Sequence, residues 1–203
     1  INVALGEDLG RDAVTEIMRL ADIFEDSALN IGSAINSIGQ ASVATEAFQV
    51  DFLKRTAAIG KAVKITSNEL LGYGAALEIN GATAETSGTA MLNFFGDFVK
   101  KADEFGAIAG YAKGELRKLM DEKGTNAAFI DFLQHLDKGS KNTEDLLKKL
   151  DDMGIDGAKG SNALLILAKN TDDVIQQQKV AAESVGSIIE EFNKRNNNAA
   201  AQA

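Results

Sequence analysis

The chain has 203 residues and contains no cysteine, no proline and a single histidine. Without cysteine there can be no disulfide, no thiolate zinc site and no thiol nucleophile. Without proline nothing forces a kink inside a helix. At an average usage of about 5% roughly ten prolines would be expected, so the deficit favours a mostly helical chain. One histidine rules out a zinc site of the HExxH kind, which needs two on one helix face. A long hydrophobic run is also missing. The purest apolar stretch, ALLILA at 163–168, is far shorter than the ~20 residues a membrane-spanning helix needs. No signal peptide is recognisable.

What is present has the profile of an ordinary soluble globular protein: 45% hydrophobic and 25% charged residues, with a net charge of −9. The acidic residues are spread along the chain, a pattern that serves solubility and repels phosphate backbones. Nucleic-acid binding through this segment is therefore not expected. The length suffices for one large domain or two small ones. The first residue is Ile rather than Met, and the chain is read as a segment of a longer protein.

Apolar spacing is helical almost throughout. Leu9, Val14, Ile17, Leu20 and Phe24 make one face over 8–25, with Asp8 as a candidate cap. Residues 28–40 carry Ile31, Ile35 and Ile38 among the small residues Gly32, Ser33, Ala34, Ser37 and Gly39. Ser42 or Thr45 caps the next helix, which holds Phe48, Phe52 and Ile59. Thr66 or Ser67 opens another, with Leu70, Leu71 and Leu77 inward, and Asn80-Gly81 stops it. Thr83 caps a helix running to about 103, with Met91, Leu92, Phe95 and Phe98 inside. The glycine-rich stretch 104–114 reads as a connection and the best candidate hinge.

Shorter helices follow at 114–122, after Thr125 as the cap of a second, from Thr143 to Gly154, and over 156–169. A long last helix is expected over 172–194 with Val174, Ile175, Val180, Val185, Ile188, Ile189 and Phe192. The expectation is an all-α, multi-helix bundle of about ten helices with no significant sheet. It divides into a longer-helix half (1–103), the hinge (104–114), shorter helices with a long final one (115–194), and a disordered, asparagine- and alanine-rich tail (195–203).

Candidates for chemistry are few. His135 sits in FIDFLQHLDKG beside Phe132 and Leu136, and no G-x-S-x-G elbow accompanies it. In DDMGIDG (151–157), Asp152, Asp156 and Gly157 fit positions one, five and six of a calcium loop, but Gly154 and Ala163 stand where ligands are required. GYGAAL (72–77) imitates a phosphate-binding glycine motif inside a helical pattern, with Leu77 in place of the last glycine. Glu46 and Asp51 share a helix, and Asp172-Asp173 suit a helix N-terminus. Phe94, Phe95 and Phe98 read as core, since no basic stripe accompanies them. No catalytic, cofactor or metal site is expected from these residues.

Several stretches together resemble the tail tape measure proteins of long-tailed phages and prophages. NIGSAINSIGQASVATEAFQVDFLKRTA (30–57) is similar to a signature of that family: a small-residue helix with Gly32, Ser33, Ala34, Ile35 and Asn36, a turn with Thr45-Glu46, then Asp51, Phe52, Lys54 and Arg55. KITSNELLGYGAALEINGATAETSGTAMLNFF (64–95) is similar to the helix pair that follows, including Leu71 to Leu77 and Gly88-Thr89-Ala90. AAFIDFLQHL (127–136) and LLKKLDDMGIDGAKGSNALLILAKN (146–170) come in the same order. The likeness covers about residues 10–192, and its specificity lies in the ordered succession.

The resemblance implies a structural role. Such proteins occupy the lumen of the growing tail tube, set how many rings are stacked, and are ejected ahead of the genome. It implies a virion-tail location, with host cytoplasm during assembly, and tail tube and tail assembly proteins as partners. No membrane contact and no enzymatic activity are expected through this segment. A muralytic hydrolase domain, or a generic helical interaction adaptor, is the alternative. The small-residue stripe Ile31, Gly32, Ile35, Ile38 and Gly39 is then a helix-packing surface, within the bundle or in a homo-oligomer.

Overall fold

Four successive helices of this chain begin at short hydroxyl side chains. Ser27 Oγ accepts from Asn30 N at 3.0 Å and opens α2 (Ala28–Ala41). Thr45 and Thr83 do the same for α3 (Glu46–Val63) and α5 (Ala84–Lys100). Thr66 builds a full capping box with Glu69 at the start of α4 (Ser67–Ile79). In the computed structural model, which describes residues 10–155, 158–187, 189–190 and 193–194, the described residues form eleven α-helices and no strand. The others are α1 (Gly10–Phe24), α6 (Ala102–Ala109), α7 (Glu115–Lys123), α8 (Thr125–Lys138), α9 (Thr143–Asp152), α10 (Ala158–Lys169) and α11 (Thr171–Ala182). The protein is all-α. Leu9 and the candidate cap Asp8 lie outside the described residues, as does the tail 195–203.

The centre of the fold is α4. Leu70 through Leu77 are buried without interruption, so the helix is surrounded: α3, α11, α2, α10 and α5 all pack on it. Glycines let two of these neighbours come close. A Cβ on Gly74 would stand 2.7 Å from Phe52 Cδ1 of α3, and one on Gly72 would stand 2.8 Å from Gln178 N of α11. GYGAAL is thus a packing segment of the central helix.

A second focus is aromatic. Phe94, Phe95 and Phe98 of α5 meet Phe129 and Phe132 of α8, Phe105 of α6 and Tyr73 of α4. Ring centroids lie 5.1 Å apart for Phe94–Phe129 and for Phe98–Phe132, the spacing at which offset and edge-on aromatic contacts are favourable. One hydrophobic core joins residues on both sides of 104–114.

Several sequence expectations need correction. Leu92, expected inside, is 40% exposed on α5, and Ile175 is 43% exposed on α11. Residues 104–109 are helical, in α6, and only 110–114 form a link. Ala102, Phe105, Gly106 and Ala109 are buried at helical spacing. Alanine and glycine make that face, so the periodicity is weak to the eye; Gly110, at φ +93°, ends the helix. The long last helix is broken. α11 stops at Ala182, Ser184 Oγ donates to Ala181 O at 2.6 Å, and Gly186 takes φ +88°. Ile188 and Phe192 lie outside the described residues. Thr125 is the first residue of α8, and Gly124 occupies the cap position.

Candidate functional site

The small-residue stripe of α2 lies inside the chain's own core. Ile31, Ile35 and Ile38 are each 0% exposed, and Gly32, Ser33 and Ala34 are buried with them. Gly39 is half-buried at the end of the helix, where a Cβ would approach Glu46 Cγ to 3.2 Å. α1, α3, α4 and α11 pack around α2. The three isoleucines therefore pack inside this chain's own bundle. The segment after α11 also crosses this face: Ser187 Oγ donates to Ser33 O at 3.0 Å, and Asn36 Nδ2 donates to Ser187 Oγ at 3.5 Å.

A polar joint sits where α4, α8 and α11 meet. The Tyr73 hydroxyl donates to Asn126 Oδ1 at 2.6 Å. Asn126 Nδ2 donates to Gln178 Oε1 at 3.1 Å, and Gln178 Nε2 donates to Glu69 O at 3.0 Å. Tyr73 is 0% exposed. Burial, reinforced by the nearby Glu69 charge, holds its proton well above the ordinary tyrosine range. A second buried amide, Gln49 of α3, is placed to donate to Leu71 O and accept from Ala75 N of α4 in the orientation that satisfies both its atoms.

His135 belongs to a third group, on the surface. Tyr111, in the link after α6, donates its hydroxyl proton to Asp131 Oδ2 at 2.5 Å. His135 Nδ1 lies 3.0 Å from the Tyr111 oxygen and 3.0 Å from Asp131 O. With the Tyr111 hydroxyl hydrogen directed at Asp131, this pattern assigns a proton to Nδ1. The Tyr111 and His135 rings lie 4.2 Å apart. Partial burial, then the hydrogen bond and charge of Asp131, push the Tyr111 hydroxyl far above its usual range. The group fastens the 110–114 link to α8: its hydroxyl is kept protonated and Nδ1 is committed to internal contacts.

The calcium-like stretch 151–157 is the end of α9 and a turn. Asp152 is exposed and Gly154 takes φ +73°. Asp156 and Gly157 lie outside the described residues. Among the described residues no cluster of three or more metal-ligating side chains occurs. Asp51 pairs with Arg55 on its own helix at 3.1 Å, and Asp172 and Asp173 stand in the first turn of α11, where the helix dipole favours them. A shallow polar depression of about 260 Å³ opens between Gln134, Asp137, Lys138, Lys169 and Asp172. It is crossed by the Lys169–Asp137 ion pair at 2.6 Å.

Sequence reading missed Tyr73, Asn126 and Gln178. An uninterrupted apolar run containing one tyrosine does signal a buried hydroxyl in need of a partner, but nothing local to residues 126 or 178 identifies them as that partner. No protein family, curated protein or solved structure matches the chain.

Proposed function

We propose that this chain is a structural, non-enzymatic helical domain of a phage or prophage tail tape measure protein, contributing to tail assembly and to the setting of tail length. The ordered succession of motifs over 30–57, 64–95, 127–136 and 146–170 carries the reading. Its architecture is compatible with such a role. The four stretches lie chiefly on α2 to α5 and α8 to α10, elements that share one core, so the residues behind the resemblance are largely those that hold the bundle together.

Helix is also the secondary structure that turns residue count into length most directly, at about 1.5 Å per residue. Folded as a bundle, a chain of this size has a radius of gyration of about 17 Å. Opened into one continuous helix it would reach roughly 300 Å. A ruler role therefore requires the bundle to open as the tube grows around it. The partners in this reading are tail tube and tail assembly proteins, in the virion tail and, during assembly, in the host cytoplasm. The acidic surface is unsuited to nucleic acid. No helix of the described residues is long and apolar enough to cross a membrane.

Mass spectrometry of purified virion tails tests the proposal. Peptides from residues 10–190 should be recovered from intact tails in a fixed ratio to the tube protein. Their absence from tails, with the chain abundant in the producing cell, would refute it.

A further inference from the structure

We infer that α11, with residues 183–187 after it, is a latch that undocks from the bundle as a unit before the rest of the fold opens. The helix buries Val174, Gln177 and Ala181. One of these is a glutamine, and its Oε1 has no hydrogen-bond partner. Ile175 is 43% exposed. α3 and α5 bury polar side chains too (Gln49, Thr56 and Ser87), but together with a much larger apolar set: Phe48, Val50, Phe52, Leu53 and Ala57 on α3, and Met91 and three phenylalanines on α5.

What holds α11 in place is mainly polar. Gln178 Nε2 donates to Glu69 O and Asn126 Oδ1, and Asn80 Nδ2 donates to Asp173 Oδ2 at 3.2 Å. Past the helix, Ser187 bonds to Ser33 O and accepts from Asn36. Ser33 Oγ beneath it is buried without a partner. Water replaces such bonds at little net cost, whereas apolar area once exposed has no substitute. Units with few buried apolar contacts are those that open locally. Asn170, between α10 and α11, is the single residue about which the latch would swing.

Undocking would uncover Gly72, where α4 lies against the backbone of α11. The three atoms nearest a Cβ on Gly72 all belong to Gln178, at 2.2, 2.8 and 3.1 Å. A methyl group there presses on α11 and on nothing closer. The latch deepens the proposed function, since a bundle that must extend needs a place to begin opening. Its test is made on the isolated chain and does not depend on any effect on tails.

Native-state hydrogen exchange read by mass spectrometry decides it. In the unaltered chain, amides of 174–182 should exchange together and roughly tenfold or more faster than those of α3 and α5. Gly72→Ala should accelerate the α11 amides by roughly a further tenfold and leave α3 and α5 near their original rates. Equal exchange in all three helices of the unaltered chain would overturn the inference, and so would a Gly72→Ala effect spread evenly over them. If Gly72→Ala does not fold, Gln178→Ala, which removes the amide bonds without adding bulk, is read in the same way.

Discussion

The Tyr73 hydroxyl reaches from the central helix to Asn126 Oδ1 at 2.6 Å, out of the buried stretch Leu70–Leu77 in which it is the one polar side chain. That bond satisfies a hydroxyl buried among apolar side chains, and through Gln178 it ties α8 and α11 to α4. Tyr73→Phe should cost about 1–2 kcal/mol at neutral pH, because Asn126 loses a donor at a part-buried site. Urea denaturation followed by circular dichroism measures it.

The same residue gives the fold an alkaline limit. An unfolded tyrosine titrates near 10, whereas burial holds the Tyr73 proton well above that in the folded chain. The folded state thus binds more protons than the unfolded state above about pH 10, and stability must fall as pH rises. The contribution is fully present below about pH 10 and is lost progressively above it. Tyr73→Phe should decline less steeply, so its deficit against the unaltered chain narrows between roughly pH 10 and 11. A deficit that stays constant over that range would show that Tyr73 does not set the limit.

Two glycines should respond to alanine with opposite sign. Gly74 faces Phe52 Cδ1, which an added Cβ would meet at 2.7 Å. Gly74→Ala should destabilise by about 1–3 kcal/mol through overpacking, despite alanine's better helix propensity. Gly96, in α5, has only Ile59 Cδ1 nearby, at an ordinary 3.7 Å. Gly96→Ala should stabilise by about 0.5–1 kcal/mol. Thermal melts of the two variants beside the parent check both signs.

Ile35→Ala should lose about 2–5 kcal/mol, because a fully buried side chain is cut back in a packed core. The folded fraction should keep the hydrodynamic size of the unaltered chain. If the variant instead stayed as stable as the parent while an oligomer fell apart, Ile35 would be a contact between copies. Sedimentation velocity alongside denaturation separates the two outcomes.

Fold class was legible because helical spacing, the missing prolines, and Ser or Thr before α2, α3, α4 and α5 all agree on it. Thr45, Thr66 and Thr83 all stand among the expected caps and all serve as caps. α6 was illegible because its buried face is made of Ala102, Gly106 and Ala109 around a single Phe105, and small side chains carry little hydrophobic signal. The end of α11 was hidden for the opposite reason. Val185 and Ile189 continue the apolar spacing beyond Ala182, yet they are 79% and 48% exposed, and Gly186 breaks the helix between them. The α2 stripe was visible as a packing surface, but spacing alone does not say which helices cover it. The partners of Tyr73 lie 53 and 105 residues away, to Asn126 and Gln178, a separation no local pattern encodes.

A domain that serves as a ruler must change tail length when it is removed. Residues 10–194 would be deleted in frame from the parent gene and the tails measured by electron microscopy. If the domain opens and serves as ruler, tails should shorten by roughly 280 Å, at about 1.5 Å for each deleted residue. Intact tails of unchanged length would show that the domain is no part of the ruler.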